Sequence, residues 1–78
     1  MDAAVVGRVI RSFREQRGMT QEVLSGLAGL DRTHYSKIER GLRCPTLETV
    51  FRIAGVLQIK PHVLVKAIEQ ELAASLEA

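Results

Sequence analysis

An all-α domain of five short helices is the architecture this sequence predicts, and three observations predict it. No segment alternates apolar and polar residues over a strand's length, and aromatic residues make up only 4% of the chain, so strand signals are almost absent. Capping residues and helix-stopping glycines recur about every ten residues, bracketing runs whose apolar side chains are three or four apart. A chain of 78 residues, 46% of them hydrophobic, can bury one core and little else, so residues 1–78 read as a single domain.

Each element follows from local chemistry. Asp2 caps a first helix that carries Val6, Ile10 and Phe13 on one side and stops at Gly18, the residue best able to take the left-handed conformation. Thr20 caps a short second helix carrying Val23, Leu24 and Leu27, which ends at Ala28-Gly29. Asp31 caps the third, which runs through Tyr35 and Ile38 to Gly41. Pro45-Thr46 opens a fourth helix, for which the three-four spacing assigns Leu47, Val50, Phe51, Ala54 and Leu57 to the core. Pro61 fits the first turn of a fifth helix, about residues 61–77, with Leu64, Val65, Ile68, Leu72 and Leu76 as an apolar stripe. Leu64 and Val65 are expected in the domain's own core, and Val5 and Val9 lie off the main face of helix one.

Composition excludes several function classes. The lone Cys44 cannot form an intrachain disulfide, so a reducing cytoplasm is the expected compartment; with His34 and His62 it has no zinc-ligand spacing, and no metal or cofactor is expected. The first residues lack a basic leader, and no apolar run approaches the roughly 18 residues needed to span a bilayer, so neither export nor membrane insertion is expected. An amphipathic membrane-surface role for helix five is disfavoured by its single Lys66 against three glutamates. Absence of a nucleophile-base-acid set and of a phosphate-cradling glycine loop argues against an enzyme. Net charge is only +2, yet its distribution is informative. Nine basic residues face five acidic ones between Arg8 and Arg52, and the tail beyond is slightly acidic.

The second and third helices are separated by three or four residues containing Gly29, a length that holds two helices at a steep angle. This is the local geometry of a helix-turn-helix. Leu24, Ala28, Leu30, Tyr35 and Ile38 face inward in that reading, Ser25 is small where the helix backbones approach, and Gly29 occupies the place that needs positive φ.

With Arg-Gly-Met-Thr-Gln-Glu (17–22), Gly-Leu-Asp-Arg-Thr (29–33), Lys-Ile-Glu-Arg-Gly (37–41) and Pro-Thr-Leu-Glu-Thr (45–49) in place, the chain resembles the Cro/phage-repressor family of helix-turn-helix domains, also called the xenobiotic-response-element (XRE) family. The resemblance covers about residues 6–65 and implies a lambda-repressor-like fold. Within the family the chain is similar to the controller proteins of restriction-modification systems, which share the Leu-Asp-Arg-Thr opening of the third helix. It departs from the family pattern at Ser25, where alanine is usual, at Gln58, where helix four normally ends in glycine, and in the helix that continues past Val65.

Function follows from sorting the exposed residues. A helix fits the major groove, where each base pair shows a distinct donor and acceptor pattern. With Tyr35 and Ile38 turned inward, Arg32, Thr33, Ser36 and Lys37 are left on the outward face and match the family's base-reading positions. Thr20 and Gln21, at the positive end of helix two, suit a phosphate, and in the family this glutamine holds one. Arg40, Arg43 and Thr46 are candidates to clamp the backbone on the other side, and His34 is a further phosphate candidate. The resemblance also implies a structural ion pair between Arg14 and Glu39.

A domain this small covers half an operator, so a homodimer on a palindromic site is expected, with Val56, Ile59, Val63, Ile68, Leu72 and Leu76 as candidates for the shared face. The expected function is a sequence-specific, double-stranded-DNA-binding transcriptional regulator. The alternative is an antitoxin-type module whose last helix masks a toxin, and RNA polymerase is another possible protein partner.

Overall fold

The computed structural model describes residues 1–77, and it contains five helices and no strand among them. These are α1 (Ala3–Gln16), α2 (Gln21–Ala28), α3 (Arg32–Glu39), α4 (Leu47–Leu57) and α5 (Pro61–Glu77). Side chains cap four of the five starts: the Asp2 carboxylate accepts from the Ala4 and Val5 amides, Thr20 Oγ1 from Val23, Asp31 Oδ2 from His34 and Thr46 Oγ1 from Thr49. None of the helices is long and apolar enough to cross a membrane.

The helices close on one core, and each contributes a fully buried side chain to it: Ile10 from α1, Leu24 from α2, Tyr35 and Ile38 from α3, Ile53 and Leu57 from α4, Leu64 from α5. Val5 and Val9, off the main stripe of α1, are buried too. Their burial follows from position, since α1 packs on α3 at one side and on α5 at the other. Gly7 permits the first contact. A Cβ there would lie 2.3 Å from the Ile38 carbonyl oxygen, so only glycine lets α1 reach the end of α3.

In α2 the buried stripe is Leu24, Ser25 and Ala28, as the helix-turn-helix reading expects, while Val23 and Leu27 are exposed. A two-turn helix packed on α3 and α4 buries one stripe, and Val23 and Leu27 stand about 100° round from Leu24 and Ala28. In α4 and α5 the expected inward faces need correction. In α4 the core takes Val50, Ile53, Ala54 and Leu57, leaving Leu47 69% and Phe51 56% exposed. These two are rotated about 70 to 110° from the buried stripe, and Ile53, missing from the sequence assignment, takes the central place. In α5 the four-residue spacing of Leu64, Ile68 and Leu72 selects the inner face and turns Val65 outward.

That last spacing also revises the expected shared face. Ile68 is only 7% exposed and belongs to the chain's own core, and Val56, Ile59 and Leu72 pack partly against it. Of the six residues assigned to a partner, Val63 and Leu76 alone are exposed.

Candidate nucleic-acid interface

The turn between α2 and α3 is built by three residues. Gly29 takes φ 69°, the left-handed conformation that a side chain disfavours, and ends α2. The Leu30 amide then reaches back to the Ser25 carbonyl at 2.9 Å, and Asp31 starts α3 by accepting the His34 amide at 3.0 Å. The two helices are thereby fixed end to end.

On α3, Tyr35 and Ile38 are completely buried, which leaves Arg32, Thr33 and His34 exposed and Ser36 and Lys37 half-buried on the opposite side. Arg40 and Arg43 follow, both exposed. Among the described residues the ion pairs are Arg11–Glu15, Arg14–Glu39 and Arg52–Glu48, so the cations of the α3 face and its following loop have no carboxylate partner. These cations are free to meet an anion from outside the chain.

Beneath this face lies a single buried carboxylate. Glu39 receives Arg14 Nε at 2.7 Å on Oε2 and Arg14 Nη2 at 3.0 Å on Oε1, the two-pronged contact that guanidinium geometry favours. Oε1 also accepts Gln21 Nε2 at 2.9 Å, and Oε2 accepts the Tyr35 hydroxyl. The remaining prong of Arg14, Nη1, donates to the Met19 carbonyl at 2.7 Å. One carboxylate therefore joins α1, α2 and α3. Burial pushes its pKa up, but the bonds donated by Arg14, Tyr35 and Gln21, with the nearby guanidinium charge, outweigh burial and hold it below the ordinary carboxylate range. The hydrogen bond to Glu39 raises Arg14 in turn, and burial, then Glu39, raises the Tyr35 phenol above its usual range.

The Arg14–Glu39 contact joins the two residues the family pattern pairs. Tyr35 was legible only as a core residue, although its place four residues before Glu39 on the same helix face is a spacing that brings side chains together. Gln21 carries no signal in the sequence for its bond to Glu39.

Two helix starts flank α3. At α2 the Thr20 hydroxyl takes the Val23 amide, so the Gln21 and Glu22 amides remain without intrahelical partners. At α4 the Thr46 hydroxyl is committed twice, accepting from the Thr49 amide at 3.2 Å and donating to Thr49 Oγ1 at 3.0 Å. What Thr46 leaves open is the row of amides behind it.

A helix-turn-helix family model, HTH_3, matches residues 10–64. The HTH-type transcriptional regulator YazB of Bacillus subtilis (strain 168) is 39% identical over 64 residues, 82% of this chain and 93% of its own. Among solved structures, the restriction-modification controller protein C.AhdI from Aeromonas hydrophila is similar with a TM-score of 0.77 at 36% identity, over 81% of this chain and 96% of that one. The controller protein C.Esp1396I, in the structure of its tetramer with a natural 35 base-pair operator, is similar with a TM-score of 0.81 at 34% identity, over 91% of this chain and 93% of that one.

Proposed function

The chain belongs to the XRE-type helix-turn-helix family of DNA-binding transcriptional regulators, and from that premise we propose that it binds a palindromic operator as a homodimer, reading bases with the outward face of α3. The observation that carries this reading is the unpaired cationic face of α3, whose inner side is fixed by Tyr35 and Ile38 and whose far end is tied through Glu39 to α1 and α2.

In this reading Arg32 forks onto the O6 and N7 acceptors of a guanine, Thr33 meets a thymine methyl or a base acceptor, and Ser36 and Lys37 extend the contact along the groove. Phosphates on one side meet the α2 start, with Thr20 and Gln21. A primary amide nitrogen has two N–H groups, and Gln21 spends one on Glu39, leaving one for a phosphate. On the other side Arg40, Arg43, His34 and the amides behind Thr46 hold the backbone. These contacts carry affinity without sequence information.

For the second subunit, the exposed apolar residues favour Leu47 and Phe51 of α4 with Val65 of α5 over the stripe assigned from sequence. Leu47 and Val65 share a shallow, mainly apolar hollow of about 210 Å³ with Met1 and Pro45. A controller protein related to this chain was captured as a tetramer on its operator, which supports assembly from paired subunits.

Selection of bound DNA from a random pool tests the reading. The expected product is an inverted repeat with half-site centres about 34 Å apart, one turn of duplex. Recovery of unenriched sequence would overturn it.

A further inference from the structure

The bond from Tyr35 to Glu39 lies outside the DNA surface, yet it bears on what that surface does. Glu39 has one oxygen facing α2, where Oε1 takes the Gln21 amide, and one facing the core, where Oε2 takes the Tyr35 hydroxyl. Arg14 bonds both oxygens, Nε to Oε2 and Nη2 to Oε1, and so anchors the carboxylate from the α1 side. The phenol adds a second anchor on Oε2 from the core side. It is completely buried and pinned by the core around it, so a bond to its hydroxyl ties Oε2 to a rigid point.

We propose that the Tyr35 hydroxyl is a positioning group for DNA binding: by holding Oε2 of Glu39 it aims Oε1 at Gln21, and thereby sets which way the Gln21 amide faces the DNA. This rests on the reading of Gln21 as a phosphate contact. An amide side chain has two faces related by a flip, one presenting N–H groups and one presenting a carbonyl oxygen. With a carboxylate oxygen at 2.9 Å, the flipped amide would set oxygen against oxygen, so Glu39 enforces the orientation in which Nε2 donates. The second N–H of the same nitrogen is then left for a phosphate at the start of α2, where the Gln21 and Glu22 amides have no intrahelical partner. Were the carboxylate free to tilt, the amide could turn its oxygen to the phosphate and repel it.

A double-mutant cycle on a mixed-sequence DNA duplex at fixed low salt tests this, because a phosphate contact is independent of sequence. Gln21→Ala should weaken binding about tenfold and Tyr35→Phe, which keeps the ring volume, about threefold. The double variant should bind no more weakly than Gln21→Ala alone. Independent losses that multiply would overturn the proposal and reduce Tyr35 to a core residue. Unchanged binding by Gln21→Ala would overturn the phosphate reading as well, and the two failures are thus distinguishable. A second measurement avoids any loss of fold in Tyr35→Phe. Tyr35 is the only tyrosine of the chain, so 3-fluorotyrosine labelling gives one fluorine resonance at this bond. That resonance should move when duplex is added to the otherwise unaltered protein and stay in place in Gln21→Ala. No movement in either protein would overturn the proposal.

Discussion

Arg17 donates its Nε–H to the main-chain carbonyl of Leu57 at 2.6 Å, so the residue that ends α1 also closes the C-terminus of α4. The cation meets the negative end of the helix dipole there. The residue after Leu57 is Gln58, which takes φ 58°, the left-handed conformation in which the family normally uses glycine. The corner is therefore made by a charged cap on one side and a strained glutamine on the other.

Two opposite stability changes are expected at this corner. Gln58→Gly relieves a left-handed L-residue, worth roughly 1 kcal/mol, less what the freer unfolded chain takes back. Arg17→Met keeps much of the stem and removes the cap, at a cost of about 1 kcal/mol given the exposure of the side chain. Urea melts should show the midpoint rising in the first variant and falling in the second with an unchanged slope. A fall in both would mean that a contact of the Gln58 side chain outweighs the strain of its left-handed backbone.

The same corner shows how far the sequence could be read. Caps and stops were legible because they are local: Asp2, Thr20, Asp31 and Gly29 each act on amides within three or four residues. Helix faces were less so. In α4 the apolar residues wrap more than half the circumference, so periodicity alone could not reject Leu47 and Phe51 in favour of Ile53; only the placement of α2 and α5 against α4 decides it. The α3 surface was visible from the exclusion of Tyr35 and Ile38. The network on Glu39 was not, apart from the Arg14 pair that the resemblance implied, since Gln21 is 18 residues away and meets it only after the turn has closed.

Acid should weaken the fold through Glu39. Its folded pKa lies below the ordinary 4.5, so its contribution is complete above that value and is lost as the pH falls through the lower, folded one. Glu39→Gln removes the titrating group while keeping its shape. Melting temperature plotted against pH should fall less steeply below about pH 4.5 in the variant than in the parent protein. Parallel curves would place the acid sensitivity elsewhere in the chain.

The exposed α4 face gives a prediction about assembly. Phe51 is more than half exposed and can be replaced without opening the core, so Phe51→Glu should keep the helical circular-dichroism spectrum while placing a charge on the proposed shared surface. Sedimentation equilibrium at protein concentrations on the order of tens of micromolar should show a dimer for the parent and a monomer for the variant. A dimer that survives the substitution would return attention to Val63 and Leu76.

Salt dependence measures how much of the binding is phosphate contact. If Arg40, Arg43 and their symmetry mates neutralise on the order of four phosphates, log K should fall against log[salt] with a slope of about −3.5, Gln21 being neutral and adding nothing to it. A slope near zero would remove nucleic acid as the partner of this surface.

The most discriminating test separates reading from holding. Arg32 and Arg43 are both exposed, both cationic and both without a carboxylate partner among the described residues, so charge alone gives no reason for them to differ. Position does. Arg32 is the first residue of α3, whereas Arg43 follows the helix, in the loop that leads to α4; in the proposed reading the first meets a base edge and the second a phosphate. Arg32→Ala should lose a guanine fork, costing about 1 to 3 kcal/mol per half-site, and relax the preference at one base position in each half. Arg43→Ala should weaken binding to operator and random duplex alike, with a salt slope shallower by about 1 per lost contact, because a phosphate is the same on every sequence. Both variants are measured on the same two duplexes, so the contrast is independent of folding differences that scale both affinities together. Equal loss of discrimination in the two variants, or none in Arg32→Ala, would mean that another face of α3 enters the groove.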